Sequence, residues 1–219
     1  MRGAHSLGPG GGAAPLQLAA PEKLSAISQR MRQRVPQIVG HQPGSRAAVA
    51  MVLAPDEDDL RVLLIKRADH PSDPWSGHMA LPGGRHDRSD GDLAETAIRE
   101  TAEEVGIDLA AHGQLISRLD DLQATARGRN LDMVITPFLF ALDHPHPTVL
   151  DRSEVAATLW VPLRVFHDAD FHGQITFERD GMRMDYPAFL YEGHKVWGLT
   201  YRIIRGFIDA LDAEERLPR

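Results

Sequence analysis

The chain has 219 residues, no cysteine and a formal net charge of −7 at pH 7. Its length allows one domain with extensions and a sizeable core, while the absence of cysteine excludes disulfides and thiolate metal sites. No apolar run approaches the length of a membrane helix, and the negative charge argues against nucleic acid, which favours a basic surface. We therefore expect a cytoplasmic protein with neither a membrane nor a nucleic-acid partner.

The two ends of the chain differ in composition from its middle. Gly, Ala and Pro dominate the first residues, which cannot bury enough apolar surface to become ordered, so we predict a disordered leader. These residues also lack the sustained apolar core of a signal peptide. We divide the chain into this leader, a helix with a connector, the main domain and a short tail, at residues 1–20, 21–44, 45–214 and 215–219.

The first predicted elements are a helix and a hairpin. Apolar residues recur at helical spacing within residues 22–34, and two apolar runs, 47–53 and 61–65, flank an acidic turn and predict paired strands. Prolines and a glycine then predict a loop over residues 70–78. Arg67 precedes this loop, either as a charge at the strand end or as a contact for phosphate near the glycine turn that follows.

Residues 81–107 combine a glycine turn, an acidic loop and a predicted helix. Asp92 is the expected N-cap, because its side chain can accept hydrogen bonds from the first free amides of the helix. Glu95 stands three residues later, where a capping box places an acid, and Gly106 supplies the left-handed residue that ends the helix.

Three glutamates of this helix have spacings that bring their carboxylates together. Glu103 and Glu104 follow Glu100 by three and four residues. Like charges repel at this spacing, and the C-terminal end of a helix does not favour anions, so we expect a cation to neutralise them. Hard oxygen ligands suit Mg²⁺ or Mn²⁺. The alternative is a solvated acidic face, but Arg99 within the cluster and the Pro-Gly-Gly turn at 82–84 favour a metal site.

This segment resembles the Nudix box, the loop-helix-loop with the pattern G-x5-E-x7-R-E-U-x-E-E-x-G-U, in which U is a bulky aliphatic residue. Gly84 stands at the first glycine, and the second half matches without a gap at Arg99, Glu100, Glu103, Glu104, Gly106 and Ile107. The chain departs from the pattern at Asp90, which replaces the first glutamate one residue further from the arginine, and at Thr101, which replaces an aliphatic residue.

The aspartate and the longer spacing are similar to one branch of the family, the coenzyme A pyrophosphatases, whose box commonly reads PGG-x-x-D-x-x-D. Gly83, Gly84, Asp87 and Asp90 fit that form. The resemblance implies an α/β (α+β) protein, an α/β/α sandwich with a mixed central β-sheet. It also implies a hydrolase that cleaves coenzyme A or an acyl-CoA to 3′,5′-ADP and 4′-phosphopantetheine. ADP-ribose, NADH or another dinucleotide are alternative substrates, and a non-catalytic nucleotide-binding regulator is the alternative outside enzymes.

The resemblance also implies roles for the box residues. Glu100 and Glu104 are the first expected ligands of Mg²⁺ or Mn²⁺, with Glu103 as the third, and Arg99 is expected to hold Glu103 in place. The substrate is a small nucleotide, and a homodimer is one assembly that the sequence allows.

Substrate binding and proton transfer involve further residues. Gly83 and Gly84 have no side chain to keep phosphate or metal from the backbone. One of Glu103, Glu104 or Glu154 is expected to act as the general base, and the sequence does not choose among them.

After the box, residues 114–122 and 133–142 predict strands separated by a polar loop. Arg127 and Arg129 in this loop belong either to a solvated turn or to a contact with the 3′-phosphate or the diphosphate. The sequence His-Pro-His-Pro at 144–147 suggests a zinc site. We reject that interpretation here, because each proline holds its predecessor extended and no second pair of ligands follows.

The last part of the chain predicts three elements. Residues 154–163 form a strand with Glu154 at its start, where a carboxylate is either an edge charge or an additional group of the metal site. Residues 174–178 and 182–190 form a hairpin that turns at 180–181, and a final helix with one apolar face begins near residue 196.

Overall fold

This computed structural model describes residues 19–40, 44–70, 76–126, 129–179 and 182–213. The strands are β1 (Ser45–Asp56), β2 (Asp59–Arg67), β3 (Met79–Ala80), β4 (Gly83–Arg85), β5 (Gln114–Arg118), β6 (Leu122–Ala126), β7 (Arg129–Ala141), β8 (Val155–Pro162), β9 (His172–Arg179), β10 (Met182–Tyr191) and β11 (His194–Trp197). The α-helices are α1 (Ala20–Gln33), α2 (Leu93–Val105), α3 (Leu109–His112) and α4 (Gly198–Ala213), and short 3-10 helices cover Leu163–Phe166 and Ala169–Phe171.

Within the described residues the larger sheet has eight strands and is mixed. Its main order is β3-β2-β1-β7-β5, with β4, β6 and β8 paired beside β1, β7 and β2. β1 runs parallel to β7, and the other pairs are antiparallel. One edge of β1 serves two partners, because β4 pairs with its first half and β2 with its second half. A separate antiparallel sheet has the order β11-β10-β9.

The two faces of β1 build two layers of core. Met51 and Leu53 point into a cluster shared with α1 and α4, whereas Ala50 and Val52 point into a cluster shared with α2. This alternation is the period of two that a strand buried on both faces requires. Helices therefore cover both faces of the mixed sheet, as the sequence predicted. No helix of the described ranges is both long and apolar enough to span a bilayer.

Most predicted elements are present with small shifts at their ends. The hairpin of β1 and β2, the first helix, the box helix and the pairing of β9 with β10 are confirmed. The predicted turn at 180–181 lies outside the described residues. The division of the chain into a leader, a connector, a main domain and a tail stays a prediction.

Three elements differ from the sequence prediction. The single strand expected over residues 114–122 is interrupted at 119–121, so that its ends belong to β5 and β6. The expected loop between the two strands after the box is largely a hairpin, since β6 reaches Ala126 and pairs with the start of β7. The final helix begins later than predicted, because Trp197 still belongs to β11 and Gly198 takes a left-handed φ of 66°. A left-handed residue interrupts regular backbone, and glycine adopts it without steric cost.

Candidate active site

A glycine corner at the start of β4 forms one wall of the site. Gly83 has a φ of 147°, and a Cβ atom there would lie 2.3 Å from the carbonyl oxygen of Ala48 on β1. Only glycine fits this position without displacing the backbone of the central strand. The Ala50 amide also donates to the Pro82 carbonyl at 2.8 Å, and Ala48 pairs with Gly84. Strand β1 therefore contacts the residues before and after Gly83.

Helix α2 is fixed in front of this corner by its caps. The Asp92 carboxylate accepts hydrogen bonds from the amides of Ala94 and Glu95, and Gly106 ends the helix with a φ of 70°. These two predictions are confirmed. The expected capping box is not formed as predicted, because the Glu95 side chain accepts from the Gly91 amide at 2.7 Å rather than from Asp92.

Glu104 points from the last turn of α2 into the protein. The residue is 2% exposed, and its carboxylate accepts one hydrogen bond, from the Gly83 amide at 2.8 Å. Burial raises the pKa of this carboxyl group from 4.5 to about 8, against the lowering effects of the Gly83 amide and the nearby charge of Arg67. A buried acid with one neutral donor is a group that a cation would stabilise in its charged form.

Glu100 contacts the next glycine of the same corner. A Cβ atom at Gly84 would stand 2.4 Å from the carboxyl carbon of Glu100, so the side chain packs directly against the glycine backbone. Burial raises the pKa of Glu100, although Arg99 lies 2.9 Å from its carboxylate and opposes that rise. The two glutamates therefore both contact the Gly83–Gly84 backbone.

Glu103 takes a different direction. Its side chain is 58% exposed and accepts from Arg99 at 2.8 Å. Among the described residues, the three box glutamates are not a group whose ligand atoms all lie within 4.8 Å of one another. The sequence prediction that all three carboxylates converge is therefore not met in this structure, because the nearby guanidinium holds Glu103 to one side.

Arg99 organises the loop before α2 as well as the helix. It donates to the Asp90 carboxylate at 2.8 and 3.0 Å, and to the Arg85 carbonyl at 3.2 Å. These bonds from Arg99 are the main reason that the pKa of Asp90 lies well below its ordinary value. The expected Arg99–Glu103 contact is present. The bond between Arg99 and Asp90 was not predicted, although Asp90 stands at the first acidic position of the box.

Arg67 and Glu154 both act on the glutamates of α2. The Arg67 amide donates to the His78 carbonyl at 3.0 Å, and the Ala68 amide donates to the Glu154 carbonyl at 2.7 Å. The positive charge of Arg67 acts on Glu104, and the negative charge of Glu154 acts on both Glu100 and Glu104. The exposed Glu154 therefore lies close enough to Glu100 and Glu104 to influence them.

The loop that carries Arg127 and Arg129 lies only partly within the described residues. Arg127 lies outside the described residues, and for Arg129 the structure describes the backbone at the start of β7 but not the side chain. Their proposed contact with substrate stays a prediction.

Comparison with known proteins gives the family context of this site. The NUDIX domain profile matches residues 44–178. An uncharacterized protein of Schizosaccharomyces pombe is 32% identical over 212 residues, and the match covers 87% of this chain and 64% of that relative. The chain thus spans less than two thirds of that relative's length. A Yersinia pestis protein named as an uncharacterized Nudix hydrolase, NudL, is 27% identical over 196 residues, which cover 86% of this chain and 95% of the relative.

Solved structures show the same fold. A MutT/nudix family protein from Enterococcus faecalis superposes with a TM-score of 0.52 at 21% identity, covering 93% of this chain and 73% of that one. An Ap4A hydrolase from C. elegans, in a binary complex, gives a TM-score of 0.50 at 20% identity and covers 77% and 98%. These likenesses confirm the predicted α/β/α sandwich with a mixed central sheet.

Proposed function

Because the chain belongs to the Nudix family of hydrolases, we propose that it cleaves the diphosphate of coenzyme A or an acyl-CoA, giving 3′,5′-ADP and the 4′-phosphopantetheine part. The observation that supports hydrolysis most directly is the pair of carboxylates, buried Glu104 and partly buried Glu100, that contact the glycine corner at Gly83 and Gly84. The form PGG-x-x-D-x-x-D, with Asp87 and Asp90, supports coenzyme A as the substrate.

Nudix hydrolases generally need divalent metal ions, and the residues of this site fit one. The pKa values of Glu100 and Glu104 are raised chiefly by burial, and a cation nearby would restore their charged forms. Their carboxylate oxygens suit Mg²⁺ or Mn²⁺, with Glu103 as a third ligand once it leaves Arg99. When bound, the metal neutralises phosphate oxygens and lowers the pKa of a bound water.

The protein's own groups have separate tasks in this proposal. Gly83 and Gly84 let the diphosphate approach the backbone, and Arg67 adds positive charge beside it. Glu103 and Glu154 are exposed and can take a proton from the attacking water, whereas Glu104 is buried against an amide and suits a ligand better. Arg99 is a positioning residue, since it ties Glu100 and Glu103 to the acidic loop through Asp90.

A substrate panel tests the proposal. The full chain is assayed with Mg²⁺ and with Mn²⁺ against coenzyme A, an acyl-CoA, ADP-ribose and NADH, and kcat/KM is compared. We expect coenzyme A or the acyl-CoA to exceed the others by at least about tenfold, a difference of about 1.4 kcal/mol in transition-state binding. A higher value for ADP-ribose or NADH would reject coenzyme A and keep the hydrolase. No turnover of any substrate would favour the nucleotide-binding regulator.

The arginine loop is tested with 3′-dephospho-coenzyme A. If Arg127 or Arg129 contacts the 3′-phosphate, coenzyme A is the better substrate in the native protein, and the double change to alanine removes that preference. Arg183→Ala is the control, because this exposed arginine lies on β10. Equal specificity constants for the two substrates in the native protein would reject the contact.

The remaining parts of the proposal concern the protein's surroundings. We expect a small nucleotide substrate, a cytoplasmic location, and neither nucleic acid nor membrane as a partner. Assembly as a homodimer is tested by light scattering of the purified chain.

A further inference from the structure

The segment that follows β7 brings one carboxylate and two imidazoles close together. Asp143, His144 and His146 have one ligand atom each within 4.8 Å of the others. The Asp143 Oδ1 atom lies 3.0 Å from both His144 Nδ1 and His146 Nε2, and the two imidazole rings are 4.5 Å apart between centroids. Among the described residues, this is the one group of at least three such side chains that is so closely spaced.

A fourth side chain comes from another element. His112 is the last residue of α3, and its ring centroid lies 5.3 Å from that of His146. The sequence offers no second pair of ligands after the His-Pro-His-Pro motif, and the zinc interpretation was rejected for that reason. In the structure the additional ligands precede the motif: Asp143 comes immediately before it, and His112 lies at the end of α3.

The backbone around the cluster is anchored. The Leu142 amide donates to the Leu53 carbonyl at 2.8 Å, and the Val149 amide donates to the Val105 carbonyl at 2.8 Å. Between these anchors, Pro145 and Pro147 fix their own φ angles and restrict the histidines before them. The backbone that carries the three ligands is thus held in place before any ion arrives, which reduces the conformational entropy that binding would cost.

We propose that Asp143, His144 and His146, with His112 as the fourth ligand, bind one Zn²⁺ ion. Imidazole nitrogen and carboxylate oxygen are zinc ligands at about 2.0–2.2 Å, and such bonds place neighbouring ligand atoms of a tetrahedral site about 3.4 Å apart. The two observed separations of 3.0 Å lie close to that value. Small side-chain rotations complete the site, and the ion replaces the hydrogen bond between Asp143 and His146.

The zinc site is separate from the glycine corner. Gly83 pairs with Val49 of β1, whereas Ala141 pairs with Leu53, and these four residues of strand correspond to about 13 Å. The two sites also differ in chemistry, because imidazole favours zinc, whereas the expected metal ligands of the box, Glu100, Glu103 and Glu104, are all carboxylates. The proposal does not depend on the hydrolytic function.

Calorimetric titration tests the site. The full chain, prepared without a histidine tag and stripped of metal, is titrated with ZnCl₂ in excess Mg²⁺, which occupies hard oxygen sites. We expect one ion per chain with a Kd of micromolar or below, and a Tm higher by about 5 °C at a hundredfold excess over Kd. His146→Ala and His112→Ala should each weaken binding at least tenfold. His194→Ala, on β11, is the matched control and should bind as the native chain does.

Glu104→Gln distinguishes this site from the box, because it should leave the zinc affinity unchanged. Far-ultraviolet circular dichroism of the metal-free variants checks that they are folded. Absence of one-to-one binding, unchanged affinity in His146→Ala, or loss of the same binding in Glu104→Gln would overturn the proposal. Unchanged affinity in His112→Ala alone would overturn the assignment of the fourth ligand.

Discussion

Both ends of helix α2 carry acidic side chains, but the pKa values of Asp90 near one end and of Glu104 at the other are shifted in opposite directions. At the N-terminal end, Asp92 accepts from two helix amides and Asp90 accepts two bonds from Arg99. At the C-terminal end, Glu104 has a single amide donor and Glu100 is packed against glycine. The pKa of Asp90 is lowered, whereas burial raises the pKa of Glu104 to about 8.

The contrast follows from the chemistry of a helix. Free amides and the positive end of the helix dipole stabilise anions at the N-terminus, while the C-terminus presents carbonyl oxygens. The carboxylates at the N-terminal end therefore find their hydrogen-bond donors within the protein itself. At the C-terminal end, burial raises the pKa values of Glu100 and Glu104 despite the nearby charges of Arg99 and Arg67, and a divalent ion close to the two carboxylates would stabilise their charged forms.

The largest expected effect is loss of turnover in Glu104→Gln. The amide keeps the size of the side chain but removes a metal ligand, so we expect metal-dependent kcat to fall by at least about a hundredfold. Glu95→Gln on the same helix is the control, because its side-chain oxygen can still accept from Gly91. Turnover is measured with the best substrate of the panel, and native activity in Glu104→Gln would remove this residue from the site.

At the other end, Asp90→Asn should destabilise the fold. Asp90 accepts from Arg99 and Thr96, and its replacement leaves the guanidinium without its charged partner. We expect a loss of about 2–3 kcal/mol in the free energy of unfolding, measured by urea denaturation. Its lowered pKa means that this contribution is present above about pH 3.8 and is lost as the pH falls further.

Asp87→Asn provides the comparison within the same loop. Asp87 is exposed and accepts from Ser89, so its replacement should cost clearly less. Equal losses in the two variants would show that the buried bond to Arg99 does not hold this end together.

Gly84→Ala should reduce activity more than stability. The new methyl group would meet the Glu100 carboxyl at 2.4 Å, and this flexible side-chain end can move aside. We expect kcat to fall about tenfold, because a displaced carboxylate misplaces its ligand, with little change in Tm. Gly206→Ala, where a Cβ atom meets nothing within 4 Å, is the matched control and should keep full activity. An active Gly84→Ala variant would contradict the role of Glu100.

The smallest effect concerns stability without metal. Because the pKa of Glu104 in the folded protein is about 8 and its ordinary value is 4.5, ionisation opposes folding increasingly as the pH rises between these values. Metal-free Glu104→Gln should therefore match the native Tm below about pH 4.5 and exceed it by a few degrees above pH 8. Thermal scans in a chelator measure this difference, and added Mg²⁺ should reduce it. A pH-independent difference would contradict the raised pKa.

Local sequence rules predicted the frame of the site well. Asp92 caps the start of the helix with its side chain, Gly106 ends it because glycine adopts a left-handed φ without steric cost, and Gly83 stands where only glycine fits. These features depend on a few neighbouring residues. The direction of Glu103 could not be predicted in this way, because it depends on how Arg99 divides its bonds among several carboxylates.

Long-range pairing explains the other differences. β6 reads as a polar loop in the sequence, yet pairing with β7 keeps it extended. His112 lies beside His146, and Leu109 of the same short helix belongs to the buried cluster that contains Phe140 and Leu142, which spacing along the chain does not reveal. Contacts between residues distant in sequence can be identified only once the tertiary structure is known.

The shared edge of β1 ties the glycine corner to the middle of the larger sheet. Val49 pairs with Gly83, and the Ala50 amide donates to the Pro82 carbonyl, while the opposite edge of β1 pairs with β7 over nine residues. The corner is therefore positioned by a strand with partners on both sides, so that any substitution that displaces β1 would move the proposed site together with the core.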